Sequence, residues 1–457
     1  MLRIFRHHIS GILLFTLVGD LAVLVASVAL AHWGSEWIGD GPLWPKAVGL
    51  IVTLTLVLYL ADLYNVQVKL GRSELVVRLG LALLISVVLI AAIGYALPPL
   101  GFGRRAFLTT VGWSGLGLMV FRLMTHRLGS SQRLQRRVLV LGTGLADVII
   151  SHEGPNSAIP HRILGFLDDE PAAHDNLPPG YDLLGKAKDL VWIAEDLQPD
   201  ILLVALTNMR GAFPVSELLA CRFRGIRVEE WPTFYEKLTG KIFVNGLRPS
   251  WLIFSEGFVK TRLTETLKRA LDVTLASVGL ILAAPLMALA AISIKLDSVG
   301  PVLFRQERVG KDGKVFTLNK FRSMQMDAEA LTGPVWASED DPRVTRVGRL
   351  LRKTRFDEIP QMWNVLVGDM SFIGPRPERP AFVQELEEQI PFYRQRLSLK
   401  PGITGWAQVR YQYGSSIEDS MEKLQYDLYY IKNMSIFLDL LILLSSIQVV
   451  LFSRGAR

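Results

Sequence analysis

Two adjacent carboxylates, Asp357 and Glu358, lie in the run Arg352-Lys353-Thr354-Arg355-Phe356-Asp357-Glu358-Ile359-Pro360-Gln361, behind a cluster of cations and ahead of a proline. Gly374-Pro375-Arg376-Pro377 and Lys400-Pro401-Gly402-Ile403-Thr404-Gly405-Trp406 follow. Acids, arginines and rigid turns in this order suit a site that handles phosphate and a divalent metal. Neighbouring helical residues do not share a face, so the two acids are expected to have separate roles. Pro360 suits a first helical position, which puts both acids at the positive end of a helix running through Val367. That end lowers a carboxylate's pKa and attracts anions. An ionised aspartate can attack phosphorus, and the other acid can hold Mg²⁺, which takes one or two carboxylates together with substrate phosphates. Acids that only cap the helix are the competing reading.

Further cations surround this pair. Arg343, Arg346, Arg349 and Arg352 recur at helical spacing and predict one basic stripe, either a solvated face or a set of guanidinium forks for phosphate. Lys320 and Arg322 add two more candidates for substrate phosphate. They follow two short strands, 302–306 and 314–318, predicted around the turn Gly310-Lys311-Asp312-Gly313. Pro375, Pro377 and Pro380 fix the backbone around Arg376 and Arg379, giving either a preset binding loop or a structural turn. Asp427 stands in a mixed helical stretch, 424–430.

The elements that must position these residues include membrane segments. Residues 271–296 are nearly all apolar, with Lys260, Arg262, Lys268 and Arg269 on one flank and Lys295, Arg305, Arg308 and Lys311 on the other. Basic flanks at both ends place both on the cytoplasmic side, and Pro285 near the middle removes a backbone hydrogen bond. The expectation is a bent helix pair that enters the bilayer and returns; a straight, proline-kinked span is the alternative. A full span would put Asp357 and Glu358 outside the cell. Residues 436–452 are apolar with interspersed polar side chains and a basic tail, Arg454–Arg457, which favours lying in the interface plane over spanning.

The chain has 457 residues, half of them hydrophobic, and a net charge of +7. Basic residues adjoin apolar runs and no base-reading motif accompanies them, a pattern of anionic membrane surfaces and not of nucleic acid. Cys221 is alone, which excludes a disulfide framework. Four apolar runs, 11–32, 44–64, 75–97 and 106–125, are each long enough to cross the hydrocarbon. Arg3, Arg6, Lys69, Arg72, Arg122, Arg127, Arg133, Arg136 and Arg137 against Lys46, Arg104 and Arg105 set the first group on the cytoplasmic side. A cleaved signal peptide is the competing reading of the first run. Beyond it, 137–147 reads as strand, glycine turn and helix start, and 163–167 and 200–205 as further strands of an open α/β sheet. Gly142-Thr143-Gly144 with Asp168 would suit a dinucleotide, but Asp147 replaces the third glycine and would repel a pyrophosphate; a sheet serving assembly or regulation is the other reading.

Lys320-Phe321-Arg322-Ser323-Met324, Asp357-Glu358-Ile359-Pro360-Gln361-Met362-Trp363-Asn364-Val365, Gly368-Asp369-Met370-Ser371, Gly374-Pro375-Arg376-Pro377 and Lys400 through Val409 together resemble the bacterial polyprenyl-phosphate phosphoglycosyl transferases of the large monotopic type. The stretch 234–258 further resembles their exopolysaccharide members associated with exosortase systems. The resemblance implies a four-helix transmembrane domain (1–130), a Rossmann-like α/β domain (131–255), a re-entrant membrane hairpin (256–300) and an α+β catalytic domain (301–457). It implies transfer of a sugar-1-phosphate from a UDP-sugar to undecaprenyl phosphate at the cytoplasmic face of the inner membrane, with UMP released. Asp357 maps onto the nucleophile that forms a phosphosugar-enzyme intermediate, and Glu358 onto its partner acid beside Mg²⁺. Arg352 maps onto a phosphate-binding arginine, and Pro375, Arg376 and Pro377 onto a nucleotide-contacting loop. Asp427 matches a recurrent acid of unassigned role. A homodimer through the middle domain is expected. The alternatives are a membrane-tethered nucleotide-sugar oxidoreductase or epimerase, for which no Tyr-x-x-x-Lys pair is present in 137–250, and a non-catalytic assembly scaffold.

Overall fold

The computed structural model describes residues 2–4, 7–9, 11–33, 43–64, 72–129, 135–153, 161–170, 177–206, 213–326, 343–411, 414 and 416–451. Arg6, Lys69, Arg133 and the tail 454–457, used above for orientation, lie outside them. The chain divides into two compact units, built on His8–Thr239 and Gly240–Arg457. At the N-terminus β1 (Leu2–Ile4) and β2 (His7–Ile9) pair.

In the first unit α1 (Gly11–Trp33), α2 (Leu43–Leu60), α3 (Arg72–Ala96) and α4 (Arg104–Gly129) pack around Leu24, Leu50, Leu58, Leu79 and Leu118. Their outer faces are apolar as well, with Val25, Leu84 and Val120 exposed, as helices solvated by lipid require. α1, α3 and α4 are long and apolar enough to cross a membrane; the apolar run of α2 is shorter. Asp20 faces the bundle, where Arg122 and the Tyr64 hydroxyl both donate to its Oδ2. An intramembrane acid is tolerated when it is paired in this way.

The same unit holds an open sheet of five parallel strands in the order β5-β4-β3-β6-β7. These are β3 (Arg136–Leu141), β4 (His161–Leu167), β5 (Leu183–Gly185), β6 (Ile201–Val204) and β7 (Arg227–Glu230), accompanied by α5 (Ala146–Ser151), α6 (Leu190–Leu197), α7 (Val215–Phe223) and α8 (Trp231–Thr239). β3 and β6 are covered on both faces, which is why they read as unbroken apolar runs. The glycine turn closes on itself: Asp168 Oδ2 accepts from the backbone amide (2.7 Å) and hydroxyl (2.8 Å) of Thr143. Trp231, Phe234 and Tyr235 are core residues.

The second unit begins before the boundary expected at 255. Ile242, Val244 and Leu247 belong to its main core, with Trp406, Leu428, Tyr429 and Tyr430. After α9 (Pro249–Phe254), residues Arg262–Asp297 form one continuous helix, α10, with Pro285 inside. α10 stays helical through Pro285, where one hydrogen bond is lost, so no loop separates the two expected arms. Its 36 residues would measure about 54 Å if straight, far more than the ~30 Å of hydrocarbon. β8 (Leu303–Val309) and β9 (Val315–Phe321) make the expected hairpin. α11 (Arg346–Lys353), a 3-10 turn (Phe356–Glu358) and α12 (Gln361–Val367) follow. β10 (Ser371–Ile373) pairs in parallel with β11 (Gly402–Thr404), and α13 (Pro380–Gln389), α14 (Trp406–Arg410), α15 (Ile417–Asn433) and α16 (Ile436–Leu451) complete the unit. Asp439 of α16 is fully buried between Tyr430 and Lys268 of α10, while Leu440, Ile447 and Val450 face outward.

Candidate active site

The acid pair sits in the 3-10 turn that precedes α12, with Pro360 as the residue before the first helical one. Neither acid caps a helix amide by its side chain. Arg355 adopts φ 56°, a left-handed bend that ends α11 and turns the chain into the acid pair. Both carboxylates are buried, at 9 % and 8 % exposure for Asp357 and Glu358. Glu358 Oε1 receives Lys320 Nζ at 2.9 Å and Arg376 Nη2 at 2.7 Å. Burial alone would raise its pKa, but Arg376 and Lys320 outweigh it and hold the carboxyl well below the usual range. Asp357 moves the other way. Burial raises its pKa, against the lowering fields of Lys320, Arg376 and Arg352 and with the help of the Glu358 charge. The helix-end lowering expected for both acids therefore does not describe Asp357, where desolvation wins.

Lys320 and Arg376, expected at substrate phosphate and nucleotide, pair with Glu358, and Arg352 lies close enough to act on the Asp357 charge, each from a different element. Arg322 does neither. Buried at 4 % exposure, it donates to the carbonyls of Ser298 (2.8 Å) and Val299 (2.6 Å), so it clamps the end of α10 in place of binding phosphate. Of the predicted basic stripe, Arg346, Arg349 and Arg352 share α11, whereas Arg343 precedes it beside the bridge from Val344 to Met324.

The loop carrying Arg376 is held by three successive carbonyls. Gly402 N–H donates to Pro375 O (2.9 Å), Arg396 Nη2 to Arg376 O (3.0 Å) and Arg308 Nη1 to Pro377 O (3.0 Å). Gly374 and Gly402 pass so close that a Cβ on either would strike the backbone opposite, which is the physical reason for glycine in both motifs. Asp427 takes its place here: its Oδ2 accepts from Arg396 Nε (3.1 Å) and Nη2 (2.9 Å), orienting the guanidinium that grips Arg376. Arg396 carried no sequence signal, since its partner lies 31 residues away in the chain. Asn364 was also missed as a side chain with a task. It accepts from Asn319 N–H (3.1 Å) and donates to Thr317 O (2.7 Å), tying α12 to the hairpin.

For a metal, the remaining oxygens are Glu358 Oε2 and the Asp357 carboxylate; no cluster of three metal-ligating side chains occurs among the described residues. One or two carboxylates fit Mg²⁺, which keeps water and substrate phosphates as its other ligands. A buried carboxylate, a salt-bridged partner acid and converging cations make a site suited to handling a phosphoryl group.

Comparison with known proteins agrees. The bacterial sugar transferase family matches residues 263–453, and a CoA-binding domain family matches residues 59–218. The undecaprenyl-phosphate glucose phosphotransferase of Komagataeibacter xylinus is 34 % identical over 80 % of this chain and 72 % of its own. A UDP-N-acetylgalactosamine-undecaprenyl-phosphate N-acetylgalactosaminephosphotransferase of Aeromonas hydrophila is 42 % identical over 52 % of this chain, a match that spans only 56 % of the relative. The exopolysaccharide production protein PSS of Rhizobium leguminosarum is 41 % identical over 40 % of this chain and 93 % of its own. The chain belongs to the bacterial sugar transferases and is an enzyme of the phosphotransferase class.

Proposed function

We propose that the chain transfers a sugar-1-phosphate from a UDP-sugar to undecaprenyl phosphate at the cytoplasmic face of the inner membrane, as the first membrane step of exopolysaccharide synthesis. The observation that carries this is the unequal acid pair: Asp357 is near three cations, while Glu358 is fixed by two of them. In the first step an Asp357 carboxylate oxygen attacks the sugar-bearing phosphorus. The bond to the bridging oxygen breaks, and UMP leaves with that electron pair. In the second step an oxygen of the lipid phosphate attacks the same phosphorus and the acyl-phosphate bond breaks, restoring Asp357. A covalent intermediate spares the site from holding both substrates at once. Lys320, Arg376 and Arg352 offset the charge that builds on the transferring group. Mg²⁺ held by Glu358 and the diphosphate would supply further neutralisation there.

Both ends of α10 support a segment that enters and leaves by the same side. Near its start Asp272 accepts from Ser371 Oγ and Phe372 N–H; near its finish Asp297 accepts from Val347 N–H. All three partners belong to the same folded unit. The exposed stripe Val215, Leu219 and Phe223 on α7 is the surface on which a homodimer would pack.

Asp357→Asn keeps size and removes the nucleophile. The expected outcome is loss of UMP release across a panel of UDP-glucose, UDP-galactose and UDP-N-acetylgalactosamine, with membrane association unchanged. Retained transfer by this variant overturns the proposed mechanism.

A further inference from the structure

A cavity of about 770 Å³ lies in the second unit between three of its elements. Leu280 and Met287 come from α10, Arg305 and Asn319 from the β8–β9 hairpin, and Trp363 and Val367 from α12. Two of its walls converge on the active site. Along β9 the lining runs from Val315 to Asn319, and the next residue is Lys320. Along α12 it runs back from Val367 to Pro360, two residues beyond Glu358. Lys320 and Glu358 are joined at 2.9 Å, so the Asn319 and Pro360 ends of the groove are next in the chain to the acid site. Asn364, bonded to Thr317 and Asn319, fixes the spacing of the two walls partway along.

The ends differ in chemistry. At the site end Arg305 stands opposite Asn319 in the hairpin register. Farther out, Val315, Trp363 and Val367 are large apolar side chains left 53 %, 59 % and 60 % exposed. Asp369 lies just past Val367, beside Lys400 and Arg269, so that end carries charges of both signs. The third wall belongs to a helix apolar enough for a membrane, and Leu280 and Met287, seven residues apart, share one face of it. An apolar trough that opens beside a membrane helix, with Arg305 at one end of its large apolar side chains, suits an amphiphile whose head is anionic and whose tail is hydrocarbon.

The geometry points to this groove as the seat of the acceptor's polyprenyl chain, with its phosphate at the Arg305–Asn319–Pro360 end, the end nearer in the chain to the acids. The inference rests on the transferase reading above and adds the place and direction of the lipid.

The test uses the full-length protein in mixed micelles with a UDP-sugar it cleaves, comparing undecaprenyl phosphate with geranyl phosphate, a two-isoprene acceptor. The wild type is expected to show a higher kcat/KM for the long acceptor. Trp363→Ala and Val367→Ser, both at exposed positions, should each lower the long-to-short ratio of kcat/KM at least fivefold. Arg305→Gln should raise KM severalfold for both acceptors alike. Unchanged ratios in both α12 variants, as expected if the groove holds a bilayer phospholipid, overturn the groove alone, as does a wild type indifferent to chain length. A wild type that neither releases UMP without acceptor nor transfers to either lipid sinks the transferase reading and the groove with it.

Discussion

Asp357 and Glu358 are chemical neighbours with opposite tasks, and the difference comes from their surroundings. Two cations within 3 Å hold Glu358 ionised, so it serves as a fixed negative anchor. Asp357 is desolvated and its pKa is raised, so its ionised form is the costlier and more reactive one. The sign follows directly. In the proposed mechanism attack needs the carboxylate, so kcat should fall as pH drops through a value above the ordinary 3.8. Arg352→Gln removes a charge that lowers this pKa, and should move the acid limb of the pH–kcat profile to higher pH. A limb that stays in place would separate Arg352 from Asp357. The sequence displayed both acids and most of the cations. It could not display which acid the cations would take, because that depends on where β9 and the 374–379 loop arrive in space. Arg322 shows the same limit: two residues from Lys320, it lies just past the end of β9 and donates to the carbonyls of Ser298 and Val299 instead.

At the level of elements, the loop 374–379 matters more than its prolines alone suggest. Three consecutive carbonyls receive donors from β11, from Arg396 and from Arg308. The Arg376 side chain is thereby delivered to Glu358. Asp427 stands two links behind this contact, with 2 % exposure, paired with Arg396 at 6 %. Asp427→Ala leaves a buried guanidinium without its acid, a change that costs about 3–5 kcal/mol. The expected outcome is a lower unfolding temperature of the detergent-solubilised chain and, below that temperature, a fall in kcat as Arg376 loses its support. A variant as stable and active as the parent would remove Asp427 from this chain of contacts. Hairpin, α12 and tight turns were legible because local periodicity and glycine–proline signals drive them. The Arg396–Asp427 and Lys268–Asp439 pairs were not, being set by tertiary packing across 31 and 171 residues.

At the scale of the molecule, the basic flanks on both sides of 271–296 led to the expectation that both ends of α10 lie on one side of the membrane, and both ends pack on the same unit. In a Cys221→Ser background, single cysteines at Glu265 and Leu296, both exposed, should react with a membrane-impermeant maleimide only after cells are permeabilised. Reaction of just one of them in intact cells would make α10 a straight span. The clamp formed by Arg322 on Ser298 and Val299 has a mechanical meaning as well. Arg322 follows directly on β9, which carries Lys320, so the end of α10 is tied within two residues of the side chain that steadies Glu358, and bilayer thickness acting on α10 would be felt there. Lipid composition thereby becomes an input to the chemistry.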